Sequence, residues 1–97
     1  MIKYKYDVQY SSKFKKGLKK NIKQGKDINK LLDVVDKLAT KEKLEPKYKD
    51  HQLVNDGIYN NCRECHIEPD WLLIYEVHNE VLVLMLSRLG SHSEVFK

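Results

Sequence analysis

From Ile2 to Tyr10 the chain alternates: Ile2, Tyr4, Tyr6, Val8 and Tyr10 are apolar or aromatic, with Lys3, Lys5, Asp7 and Gln9 between them. A period of two belongs to a strand with one buried face, so a first strand is predicted here. Ser11 or Ser12 can cap the next segment, since a serine hydroxyl accepts from the open N–H groups of a first helical turn. Phe14, Leu18 and Ile22 then recur every fourth residue among lysines until Gly25, which predicts a narrow-faced, very basic helix. Asp27 opens a second helix, with Ile28, Leu31, Leu32, Val35 and Leu38 at the spacing of one amphipathic face. The short connection around Gln24 to Lys26 makes the two an antiparallel hairpin.

Between Lys41 and Asp56 the chain is polar, contains Pro46 and is expected to be a long loop. Gly57 begins a second extended segment, Ile58 to Ile67, which ends in a turn at Glu68, Pro69 and Asp70. Trp71 to Val77 and Val81 to Leu86 are β-rich runs separated by His78, Asn79 and Glu80, the pattern of a hairpin between buried strands. The order is β, α, α, β, β, β. Helices followed by strands predict an α+β fold, with the helix hairpin packed on one face of an antiparallel sheet. Its 97 residues suffice for one core, so residues 1–97 are taken as a single domain.

Charge changes the picture. Residues 1–50 hold 15 lysines and 7 acids; residues 51–97 hold 3 basic residues and 7 acids. A basic block of this kind attracts phosphate backbones through counterion release, though a solvated helix face would carry the same lysines. The chain opens without the apolar stretch of a secretory leader, and its apolar runs are too short to span a bilayer. A reducing cytoplasm and no membrane are the expectation.

Four histidines stand at positions 51, 66, 78 and 92. His78 falls in the predicted hairpin turn and is set aside as a polar turn residue. His51 in the long loop, His66 beside the turn that carries Asp70, and His92 after the last strand can converge on one side of the sheet. Imidazole takes and gives a proton near neutral pH, which suits RNA cleavage: a base removes the 2′-hydroxyl proton and an acid protonates the leaving 5′-oxygen. Arg63 and Arg88, the only arginines, can hold a phosphate with two parallel hydrogen bonds, or pair with Glu64 or Glu76. Trp71 and Phe96 can stack on bases, with burial in the core the alternative for Trp71.

Cys62, Arg63, Glu64, Cys65 and His66 also spell the C-x-x-C-H pattern of haem attachment, and the cysteine pair could be half a zinc site. Against both, the strand period puts the two cysteines on opposite faces. Reduced, partly buried thiols are expected, with no metal and no cofactor.

The stretches Tyr48 to His51, Arg63 to Tyr75, and Arg88 to His92 with Phe96 after them closely resemble the YafQ branch of the RelE toxins. His66-Ile67-Glu68-Pro69-Asp70-Trp71 is the most specific block, and the link from Leu53 to Asn61 is where the pattern departs. The resemblance implies a RelE-like fold and a type II toxin. Such a toxin enters the ribosomal A site against ribosomal RNA, cleaves the translated mRNA there, and is silenced by a cognate antitoxin. It also implies functional roles for His51, His66, Asp70, Trp71, His92 and Phe96. His92 would be the acid, His51 and His66 would share base and orienting duties, and Asp70 would fix an imidazole or move a proton.

Overall fold

The structure, a computed structural model, describes residues 4–54, 57 and 59–96. Ile2 and Ile58, both expected in strands, lie outside the described residues. Strand β1 (Asp7–Tyr10) leads into helices α1 (Ser12–Lys23) and α2 (Ile28–Ala39), followed by strands β2 (His51–Gln52), β3 (Arg63–Glu68), β4 (Trp71–His78) and β5 (Val83–Gly90), and by a short helix α3 (His92–Val95). The sheet order is β1-β5-β4-β3-β2. Strands β2 to β5 are mutually antiparallel, as expected, but β1 lies parallel to β5 at the edge. Parallel neighbours require a long crossover, here everything from α1 to β4, and no local pattern announces such a pairing.

The predicted caps are in place. The Ser11 hydroxyl accepts from the Phe14 N–H at 2.9 Å, and the Asp27 carboxylate from the Asn29 N–H at 3.0 Å. On α1, however, Ile22 is exposed and Asn21 is buried. The reason is close approach. A Cβ on Gly17 would stand 2.2 Å from the Leu89 carbonyl oxygen, so α1 rests on β5 along Phe14, Gly17 and Asn21. Buried Asn21 accepts the Trp71 indole N–H at 2.9 Å. On α2 the buried face is Leu31, Val34, Val35, Leu38 and Ala39, and Leu32 faces water.

The main core lies between the helix hairpin and the sheet, with Phe14, Leu31, Val34, Cys65, Trp71, Leu73, Tyr75 and Leu86 among its members. A smaller cluster of Tyr59, Cys62, Ile74 and Val95 covers the opposite face. Strand β4 is therefore buried on both sides, which explains its unbroken apolar run from Trp71 to Tyr75. Three boundaries differ from expectation. The long loop contains a 3-10 turn at Pro46–Tyr48 and the edge strand β2. His78 closes β4 instead of sitting in the turn, and Val81 and Leu82 are exposed turn residues, with Leu82 at φ 53°. Among the described residues no helix is long and apolar enough to cross a membrane.

Candidate active site

Directly opposed residues on neighbouring strands share a face. The register therefore writes two rows across the sheet on the side away from α1 and α2. One row is His51, Glu64, Ile74 and Arg88; the next is His66, Leu72 and Gly90. With strands about 4.8 Å apart, His66 and Gly90 are separated by about 10 Å. Three dispersed sequence segments are brought to one surface in this way.

At the β2 end, the Glu64 carboxylate is buried and stands between two imidazoles. Its Oε1 is 3.0 Å from His66 Nε2 and 3.8 Å from His51 Nε2. His66 Nδ1 faces the Pro69 carbonyl at 3.2 Å, so both of its ring nitrogens face oxygen acceptors. His51 Nδ1 donates to the Lys49 carbonyl at 2.7 Å. That contact fixes the tautomer and leaves Nε2 of a neutral ring open to accept a proton. His51 is exposed on its edge strand.

At the β5 end the chain turns back over the sheet. A Cβ on Gly90 would come within 3.0 Å of Glu94 Oε1 and 3.3 Å of Glu94 Cβ, so glycine lets α3 fold down closely. Four residues cannot sustain a helix alone, and α3 is held from outside. Ser91 and Glu94 form a capping box, and Glu94 also bonds Lys20 of α1. The Lys20 ammonium, then the Ser91 N–H, hold the Glu94 carboxyl down to about 2. Asp70 Oδ1 accepts the His92 backbone N–H at 2.9 Å. Asp70 thus positions the start of α3 through the main chain and does not hold an imidazole ring. The His92 ring packs on Phe96 at 4.9 Å between centroids, and Phe96 packs edge-on against Tyr59 at 5.6 Å. Arg88 donates to the Tyr59 hydroxyl at 3.1 Å and to the Glu94 carbonyl at 2.9 Å, under the same short helix.

Two expected ligands are elsewhere. Trp71 is fully buried in the main core with its indole N–H on Asn21, so it has no face to offer a base. The first residue of a strand covered on both sides belongs to the core. Arg63 lies on the helix side of β3, opposite His66, where it donates to Asp50 at 3.0 Å and to the Tyr75 hydroxyl at 3.4 Å. Tyr75 also hydrogen-bonds Asp50. The partners considered for Arg63, Glu64 and Glu76, are not the ones it takes; the network instead ties the start of β2 to the sheet. Cys62 and Cys65 do fall on opposite faces, in separate buried clusters, with no disulfide between them. Burial pushes the Cys65 thiol up, the reverse of what a thiolate ligand needs. Among the described residues no group of three His, Cys, Asp or Glu side chains is arranged as a metal centre. Sequence reasoning passed over Glu64 and Tyr59. The one available signal for Glu64 was an acid in phase with His66 on a strand.

The fold is a basic α+β domain that gathers on one sheet face imidazoles, carboxylates and a guanidinium, groups able to move protons and to pair with an anion. Comparison with known proteins narrows this class. Residues 6–97 match the family model described as the bacterial toxin of type II toxin–antitoxin system, YafQ. The mRNA interferase toxin YafQ of Escherichia coli K12 is 36% identical over 91 residues, 93% of this chain and 95% of that protein. Among solved structures, a metal-bound toxin from Helicobacter pylori superposes with a TM-score of 0.86 at 47% identity, covering 94% of this chain and 99% of that one. The E. coli DinJ–YafQ toxin–antitoxin complex gives 0.84 at 35%, covering 96% and 99%. The chain belongs to the YafQ family of type II toxin–antitoxin toxins, the family that the block from His66 to Trp71 resembles.

Proposed function

We propose that this protein is a toxin that arrests translation by cutting mRNA in the ribosomal A site, and that it does so by acid–base chemistry. The relative named an mRNA interferase supports the reaction, and the relative solved with its antitoxin supports a cognate antitoxin as partner. The compartment is then the cytoplasm, where translated mRNA is found. The single observation that carries the mechanism is that the register puts His51, Glu64, His66 and Arg88 on one face, beside which α3 folds back over Gly90 with His92 at its start.

In this reading His51 Nε2 takes the 2′-hydroxyl proton, while Glu64 stabilises the imidazolium that forms and keeps His66 oriented beside it. The 2′-oxygen bonds to phosphorus and the bond to the 5′-oxygen breaks, leaving a 2′,3′-cyclic phosphate. His92, set at the first position of α3 by Asp70, protonates the departing oxygen. Arg88 steadies charge on the phosphate, and Phe96, partly exposed beside His92, supplies a stacking surface. The H. pylori relative is described as metal-bound, but every step here runs on protons.

The test is mRNA cleavage on translating ribosomes. His92→Gln is expected to lose about 100- to 10,000-fold in rate with an unchanged unfolding midpoint. Wild-type toxin treated with a chelator and freed of it before it is added to the ribosomes should cleave as well as untreated toxin. Full activity of His92→Gln would remove His92 as the acid, and loss of activity in toxin stripped of metal before it meets the ribosomes would remove the metal-free mechanism.

A further inference from the structure

Two basic clefts open beside the site where the sheet borders the helices, one reached by Arg88 and the other by His66. At the β5 end, a cleft of about 410 Å³ is lined by Lys13, Lys16 and Lys20 of α1 together with Arg88 and Glu94. At the β2 end, a cleft of about 520 Å³ is lined by Lys47, Tyr48 and Lys49 against His66, with Lys30, Asp33 and Glu68 on its far wall. Lys30 is spent on Glu68 and Lys20 on Glu94. Among the described residues, Lys13, Lys16, Lys47 and Lys49 form no ion pair with a carboxylate, and all four are exposed. The second cleft is coupled to the site directly, because the Lys49 carbonyl holds the His51 ring and His66 is part of its wall.

We propose that these clefts are two phosphate subsites for the substrate strand, one on each side of the scissile bond. The RNA then crosses the sheet perpendicular to its strands. Lys13 and Lys16 take a backbone phosphate beyond Arg88. Lys47 and Lys49 take one beyond His51 and His66, with Tyr48 as the adjoining wall for a ribose or base. Each cleft is within the size range of small-ligand sites, and lysine is a point-charge phosphate partner that does not discriminate bases. The clefts therefore position the strand and leave sequence choice to other contacts. This rests on the proposed RNA substrate, yet it is testable apart from catalysis.

The probe is a short single-stranded RNA blocked by 2′-O-methyl groups, which binds but cannot be cut. Its dissociation constant is measured against salt concentration with the intact protein. For single strands each phosphate contact contributes about 0.7 to the slope of log affinity against log salt. Lys47→Ala with Lys49→Ala, and separately Lys13→Ala with Lys16→Ala, should each remove one phosphate contact and reduce that slope by about 0.7. Lysine-to-arginine replacements should keep it, and exposed Lys43→Ala, outside both clefts, should leave it unchanged. If Lys43→Ala matters as much as either pair, or neither pair matters, the subsites do not exist. If the pairs spare the oligonucleotide and weaken only binding to ribosomes without mRNA, the clefts grip ribosomal RNA and the proposal falls. Loss of cleavage in the His92→Gln protein with normal oligonucleotide binding leaves the clefts intact, so the two readings fail separately.

Discussion

The indole N–H of Trp71 has no access to water, and a buried donor left unsatisfied costs about 1–3 kcal/mol. Asn21 supplies the acceptor from α1 and donates in turn to the Gln24 side chain at 3.1 Å. This explains how an amide comes to sit on the buried face of a helix. Replacing Asn21 by Ala removes the acceptor and leaves a gap beside the largest core side chain. A loss of about 2–3 kcal/mol is expected, read as a lower denaturant midpoint at an unchanged slope. A near-neutral result would mean that the indole finds another partner. Other single residues were harder to foresee. His51, His66 and His92 could be named as a group because imidazole takes and gives a proton near neutral pH, and Asp70 because it stands in the turn beside His66. Glu64 could not, since an acid in a strand looks solvent-facing until two imidazoles close over it. Trp71 misled for the opposite reason, as an aromatic beside the active motif serves the core just as well.

At the scale of elements, the contact between α1 and β5 is set by one missing side chain. Gly17 sits inside a helix, where alanine would ordinarily add about 1 kcal/mol of stability. Here a Cβ would meet the Leu89 carbonyl oxygen at 2.2 Å, and backbone on both sides cannot yield. Gly17→Ala should therefore destabilise by about 1–3 kcal/mol in spite of the better propensity, a sign reversal that chemical denaturation would read directly. An increase in stability would show that α1 can shift away at no loss. The same contact explains what periodicity could and could not foretell. The amphipathic spacing of α2 gave its span and most of its buried face, and the alternation before Tyr10 gave β1. In α1, where lysines crowd the sequence, the four-residue spacing placed Ile22 inside, whereas the buried line runs through Phe14, Gly17 and Asn21. The two-residue strand β2 is too short to have a period and exists only because β3 pairs with it. The parallel pairing of β1 with β5 is a property of the whole topology and leaves no local trace.

Across the whole molecule, the basic half of the chain is tied to the acidic half by two carboxylates at the edge of the site. Glu68, the last residue of β3, bonds Lys30 and Lys26 from α2 and its approach, and these ammonium groups lower its pKa. Glu94 joins α3 to Lys20 of α1, with its own pKa down to about 2. Both carboxyls are thus shifted down from the ordinary glutamate value of roughly 4.3. A depressed folded-state value means that the stabilisation is complete above the unfolded value and is lost as pH falls through the folded one. Stability should therefore decline between about pH 5 and about pH 2, modestly for each tie because both are partly exposed. Glu94→Gln isolates one of them, since glutamine still completes the capping box with Ser91 and only the charge is removed. The variant should be less stable than the wild type near neutral pH, should show a shallower decline on acidification, and should converge with the wild type near pH 2. Denaturant midpoints across that range check all three. A constant gap between the two proteins at every pH would mean that the Lys20 pair contributes nothing through charge, and that α3, with His92 at its start, is held by the cap, by Asp70 and by the Arg88 bond to the Glu94 carbonyl.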